Sequence, residues 1–277
     1  MELLPNELGN IIKDYIIFKP KNKNELKEAV NLWCDNKEEA LTKYGHISLW
    51  DTSLITDMSQ LFIWKNEFND NINNWDVSLV TNMRCMFNGA SLFNQPLNSW
   101  KVSKVTNMEN MFNAAESFNQ PLNSWDVSSV TDMSYMFCEA ESFNKPLNSW
   151  DVSNVTKIYF MFYGAEDFNQ SLNSWDVSSV TDMSYIFEYA SSFNQPLNLW
   201  NVSSVTNMHD MFSGASSFNQ PLDTWDVSNV TDMENMFFNA KSFNQSLNSW
   251  NTSSVIYQDG IFYGTSSFDR KKNAHWY

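Results

Sequence analysis

The apolar positions of the chain recur with one interval. Tryptophan stands at Trp50, Trp75, Trp100, Trp125, Trp150, Trp175, Trp200, Trp225 and Trp250, at successive multiples of 25 without an insertion. Phenylalanine keeps the same interval in two further columns, from Phe87 through Phe112 and Phe137 to Phe262, and from Phe93 through Phe118 to Phe268. A fixed interval of roughly 20–50 residues marks a repeat array whose units bury their apolar faces on one another. Strict register also brings like side chains together from one unit to the next.

Within one unit the pattern predicts two elements. In Leu122–Ser128, Trp125 and Val127 alternate with Asp126, the period of an extended segment. In Val130–Ala140, Met133, Met136, Phe137 and Ala140 fall at i, i+3, i+4 and i+7, one face of a short helix. Thr131 is placed as its N-cap, and Thr106…Glu109 and Thr231…Glu234 have the spacing of a capping box. Phe143-Asn144-Lys145-Pro146 closes the coil with a proline that neither element takes. The prediction is an α/β repeat solenoid of 25-residue coils, each of short strand, short helix and loop. One coil buries too few side chains, at about 2 kcal/mol each, to offset about 1.5 kcal/mol per ordered residue, so stability must come from stacking.

Ahead of the repeats, Leu26, Ala29, Val30 and Trp33 share the helical spacing, with Ala40, Leu41 and Tyr44 continuing it. Past Ile256 the repeat decays, ending in Arg270-Lys271-Lys272-Asn273-Ala274-His275-Trp276-Tyr277. The chain divides into a short N-terminal helix (1–18), a helical cap (19–49), a nine-coil array (50–268) and a C-terminal cap or tail (269–277).

The repeat Trp-Asp-Val-Ser-x-Val-Thr-x-Met-x-x-Met-Phe-x-x-Ala-x-x-Phe-Asn-Gln-Pro-Leu-Asn-Ser resembles that of the BspA-like leucine-rich-repeat surface proteins, the mycoplasma-lipoprotein type, from about Trp50 to Phe268. Phe18-Lys19-Pro20…Trp33-Cys34…Tyr44-Gly45-His46-Ile47-Ser48 resembles the family's usual lead-in. The resemblance implies right-handed, leucine-rich-repeat-like coils. It implies a surface adhesin for bacterial members, and similar proteins are encoded in large DNA viruses of amoebae. The opening Leu4-Pro5-Asn6-Glu7-Leu8…Ile11-Ile12…Tyr15-Ile16 resembles the start of an F-box, which implies a substrate adaptor of a ubiquitin ligase.

Composition narrows the partners. The 277 residues carry 32 acidic against 17 basic side chains, a formal charge of −15. That balance argues against nucleic acid, which needs a basic footprint. No apolar run approaches the ~18 residues of a membrane span, so no membrane insertion is expected. The first residues show neither the basic n-region nor the apolar h-region of an export signal, and no lipobox cysteine or anchor follows, so a cytoplasmic protein is expected. For a viral member that means the host cytoplasm or the virion. Cys34, Cys85 and Cys138 are too few and too scattered for a disulfide framework.

The chemistry-bearing residues follow the repeat. Thirteen of the 14 methionines lie at repeat core positions and read as packing, not thioether ligands. Asn94, Asn119, Asn144, Asn169, Asn194, Asn219 and Asn244 each follow a ladder phenylalanine and imply a buried amide ladder. His46, His209 and His275 have no partner at metal or catalytic spacing. There is no phosphate loop and no nucleophile elbow, so neither catalysis, cofactor nor metal is expected. Two outward features remain. One is the aspartate column after the tryptophans, with Asp76, Asp126, Asp151 and Asp176 as candidate partner contacts. The other is a run of rings, Tyr135, Phe160 and Tyr185, at one position of three consecutive coils, with Tyr159, Tyr163 and Tyr189 nearby. The expectation is a non-catalytic protein-interaction scaffold, with the ubiquitin-ligase adaptor and the surface or virion adhesin as alternatives. A small-molecule ligand is not expected.

Overall fold

The structure, a computed structural model, describes residues 17–277. The F-box-like start therefore lies outside the described residues, apart from the end of its segment.

Two helices precede the repeats. Helix α1, Lys23–Asp35, begins where the Asn22 side chain accepts the Glu25 N–H. It ends at Asn36, whose side chain then accepts the Glu39 N–H to open α2, Lys37–Tyr44. Leu26, Ala29, Val30 and Trp33 form the buried face of α1. Trp33 and Phe18 both meet Trp50 edge-on, at 6.0 and 5.3 Å between ring centroids. The Trp33 indole N–H donates to Asp70 at 2.8 Å, and ion pairs Lys37–Asp70 and Lys65–Asp35 tie the helices to the first coil.

The repeats themselves hold neither helices nor strands. Among the described residues no helix falls between Trp50 and Asp269, and parallel pairing is confined to isolated bridges such as Asp57↔Asn82 and Asn107↔Asp132. The expected α/β solenoid, with right-handed leucine-rich-repeat-like coils of short strand and short helix, is thus overturned. In its place stands a stack of 25-residue coils built from turns.

The reason lies in where the backbone donors go. An α-helix sends every N–H four residues back. Here the donors split. The N–H groups of Met83, Cys85, Phe87 and Gly89 donate to the carbonyls of Asn107, Glu109, Met111 and Asn113 on the next coil, at 2.8–3.0 Å. Those of Met86, Asn88 and Ala90 donate three residues back, at 3.0–3.3 Å. The forward bonds recur from the first coil to the eighth, except that the coil of Phe160, Phe162 and Gly164 sends three instead of four, and the bonds three residues back recur with gaps, as at Leu61 and Ile186. The alternation needs left-handed backbone every fourth residue, as at Cys85 (φ +55°) and Gly89 (φ +71°), then Asn110 and Ala114, then Tyr135 and Glu139. Right-handed helix cannot pass through such residues. Met133, Met136, Phe137 and Ala140 are nonetheless fully buried, because a run of turns can satisfy their spacing as well as a helix does.

The predicted caps change role with it. The N–H groups of Glu109 and Glu234 are taken by the side chains of Asn107 and Asp232, while Thr106 and Thr231 donate their hydroxyls to the threonine carbonyl one coil back. The supposed strand Leu122–Ser128 also runs through turns, with Trp125 N–H donating to the Leu122 carbonyl, yet it keeps Trp125 and Val127 buried and Asp126 exposed.

The core is three aromatic columns. Phe87 and Phe112 lie parallel on adjacent coils at 5.5 Å, and Phe87 stacks on Phe93 of its own coil at 4.1 Å. Trp150 and Trp175 stack at 6.3 Å, and the Trp150 indole N–H donates to the Leu122 carbonyl at 3.0 Å. The asparagines form their ladder: the Asn94 side-chain oxygen accepts both the Asn119 N–H and the Gln120 amide, at 3.0 and 2.9 Å. It is half-buried, not sealed. At the far end a short helix α3, Arg270–Asn273, lets Trp276 take the next place in the tryptophan column, 6.1 Å from Trp250 with its indole on the Leu247 carbonyl.

Candidate partner-binding face

The two outward features separate in the structure. Each aspartate after a tryptophan accepts the N–H of the serine two residues on: Asp76 from Ser78 at 2.9 Å, Asp126 from Ser128 at 3.2 Å, Asp151 from Ser153 at 3.1 Å and Asp176 from Ser178 at 3.0 Å. Asn201 and Asn251 make the same bond to Ser203 and Ser253. The position carries an acceptor oxygen in every coil but that of Lys101, and the charge is incidental to the turn. The serine bonds hold the carboxyls of Asp76, Asp151 and Asp176 below the usual range. Asp51, paired with Lys19 at 2.7 Å, falls to about 2.

The rings gather instead along the left-handed column. Tyr135, Phe160 and Tyr185 have φ of +57°, +57° and +60°. This backbone turns the three side chains outward in register, so they stack on one another: Tyr135 on Phe160 at 4.6 Å and 10°, Phe160 on Tyr185 at 4.1 Å and 15°. Tyr159 meets Tyr135 edge-on at 5.5 Å, Tyr163 lies 5.6 Å from Phe160, and Tyr163 meets Tyr189 edge-on at 5.7 Å. The three stacked rings are half-buried and Tyr189 is exposed.

The carboxylates acting on these rings are not the aspartate column. Those raising the Tyr135 hydroxyl pKa, behind burial, include Glu109 and Asp182; those acting on Tyr185 are Asp210, Glu188, Asp232 and Glu234. Sequence reasoning missed this acidic group because its members sit at different repeat positions on neighbouring coils.

Glu188 is the most perturbed of them. It is 8 % exposed, and burial together with the nearby Asp210 carboxylate raises its pKa to about 7, against hydrogen bonds from Tyr189 and Ser213 that pull it down. A carboxyl raised in the folded state stabilises fully below its unfolded pKa and loses that contribution as pH rises through the folded value. Stability should therefore fall between about pH 4.5 and 7. Glu188→Gln should leave stability at pH 4.5 unchanged and raise it at pH 8 by about 1–2 kcal/mol, allowing for partial solvation. Urea unfolding at both pH values measures this; equal shifts at both would contradict it.

Cys34, Cys85 and Cys138 are free thiols. Burial pushes Cys34 to about 11 and Cys138 to about 12, so both stay protonated near neutrality. Cys34 lines an open cleft of about 490 Å³ between α1 and the first coil, with Trp33, Lys37, Trp64 and Asp70. No described helix is long and apolar enough to cross a membrane.

A stack of in-register 25-residue coils with a half-exposed aromatic row defines a repeat protein. The family model described as "Mycoplasma protein of unknown function, DUF285" matches residues 34–132, 100–195 and 170–276, and the chain belongs to that family. Neither the curated proteins nor the solved structures contain a match.

Proposed function

We propose that the chain is a non-catalytic scaffold that binds a Lys/Arg-rich segment of a partner protein along the face of Tyr135, Phe160 and Tyr185. The observation that carries this reading is the ring stack itself. Elsewhere along the stack the ladder aromatics are buried, whereas these rings sit at the surface, and aromatic clusters of this kind are where interfaces concentrate their energy. Charge supports the sign of the partner. Glu188, Asp210, Asp232 and Glu234 act on this row, and a net charge of −15 draws in cationic segments at long range. The face lies on a backbone fixed by inter-coil hydrogen bonds, so little order is lost on binding.

Affinity purification from the native host tests this with three proteins: wild type, Phe160→Ala/Tyr185→Ala, and Asp151→Asn. The aromatic double variant should lose the captured proteins, added salt should weaken capture by wild type, and Asp151→Asn should retain it. If the aromatic variant folds and keeps every partner, the face is not the site.

A further inference from the structure

Several carboxylates on the outer turns meet a cation of this chain. Asp57 pairs with Lys23 at 3.1 Å, Glu109 with Arg84 at 2.8 Å, and Asp132 with Lys157 at 3.0 Å. The seventh and eighth coils depart from this. There Asp210, Asp232 and Glu234 converge on a single imidazole, that of His209.

The imidazole is fixed from one side. His209 Nε2 lies 2.8 Å from Asp210 Oδ2, and Asp210 is 8 % exposed. With Nε2 on that carboxylate, Nδ1 faces Asp232 Oδ1, 3.4 Å away. That gap of nitrogen and carboxylate oxygen can be closed by a proton on the imidazole or by a bound cation. Glu234 completes the group, since ligand atoms of His209, Asp232 and Glu234 all lie within 4.8 Å of one another.

The backbone holds these groups in place. The Asp210 N–H donates to the Glu234 carbonyl at 2.9 Å across the two coils, and the Glu234 N–H donates to Asp232 Oδ1 at 2.9 Å. The site is therefore preformed on a rigid support, although His209 and Glu234 stand one whole repeat apart along the chain. A carboxylate behind a histidine is the usual arrangement for orienting a metal-ligating imidazole and setting its tautomer. One imidazole nitrogen and two carboxylates suit a borderline divalent ion such as zinc; calcium and magnesium prefer all-oxygen shells.

We propose that His209 Nδ1, Asp232 and Glu234 bind a divalent transition-metal ion of the zinc class, with Asp210 orienting the imidazole from behind. Three protein ligands leave a fourth position open. His209 lies 5.1 Å from the Tyr185 ring, which places the site beside the end of the aromatic row. The site stands independently of what that row binds.

Calorimetric titration of the EDTA-treated protein with zinc chloride, with thermal unfolding alongside, tests the proposal. Wild type should bind one zinc per chain and unfold at a higher temperature with the metal. Glu234→Gln and His209→Ala should abolish that binding, and Asp210→Asn should weaken it by roughly 10–100-fold while leaving the ligand set intact. Cobalt substitution separates this site from the free thiols: N/O ligation gives weak visible bands and no thiolate charge-transfer band. Should His209→Ala fail to fold, Glu234→Gln decides. No binding by wild type, binding unchanged in Glu234→Gln, or a thiolate band would each overturn the site.

Discussion

Trp150→Ala should lower the unfolding free energy by about 3–5 kcal/mol, the range for emptying a buried large aromatic site. Trp150 is 4 % exposed, stacks on Trp175 and is in contact with Phe137, and it donates its indole N–H to the Leu122 carbonyl. The substitution removes the ring, opens a cavity and takes away one of the two donors of the Leu122 carbonyl, which keeps the Trp125 N–H, and these losses act together. In a one-dimensional stack each coil is held only by its neighbours. A central lesion should therefore also split the denaturation curve into two transitions, whereas Trp250→Ala should fray one end and leave a single main transition. Urea titrations followed by tryptophan fluorescence and by circular dichroism distinguish these results. An unbroken, unshifted transition in Trp150→Ala would mean the column carries little of the stability.

Gly214→Ala should cost about 2–3 kcal/mol, and most of the part beyond the backbone penalty should return in the double variant with Tyr189→Ala. Gly214 has φ of +68°, and a Cβ there would lie 2.5 Å from Cδ1 of the Tyr189 ring on the preceding coil. The left-handed backbone alone costs an alanine about 1–2 kcal/mol. Ala114 occupies the equivalent place at φ +53°, so that penalty is tolerated elsewhere. The remainder is the clash with the ring, and only that part is coupled to Tyr189. A double-mutant cycle by chemical denaturation reads the coupling; additive effects would show that the ring swings aside freely. The same pairing of a ring with a glycine one coil later recurs where Trp64 covers Gly89.

The interval, the buried columns and the asparagine ladder were all legible from residue spacing, because a stack in register makes a neighbour of the same position in the next repeat. The backbone was not. Met133, Met136, Phe137 and Ala140 report which side chains face inward, and that spacing says nothing of where the N–H groups go. A corrective signal was present: Gly89, Gly164, Gly214 and Gly264 fall in one column, and Asn110, Asn235 and Gly260 in another, all residues that accept left-handed backbone. Tyr135, Phe160 and Tyr185 occupy the second of these columns and hide it. The aspartates stand out in the sequence as charges, but Asn201 and Asn251 keep the same bond without one. His209 looked isolated because metal and catalytic spacings are drawn from single helices and loops, whereas in these coils the relevant neighbours, Asp232 and Glu234, stand about one repeat further along the chain.

The split of backbone donors also gives the stack an electrical direction. In ordinary sheets the strand dipoles alternate and nearly cancel. Between the second and third coils, the N–H groups of Met83, Cys85, Phe87 and Gly89 all point toward the C-terminal end, and against them those of Thr106, Ser117 and Asn119 point back. Among bonds from backbone to backbone the forward direction is in excess at each such step, so the two ends of the stack differ. The excess of donors faces the Trp276 end and the excess of carbonyls faces α1.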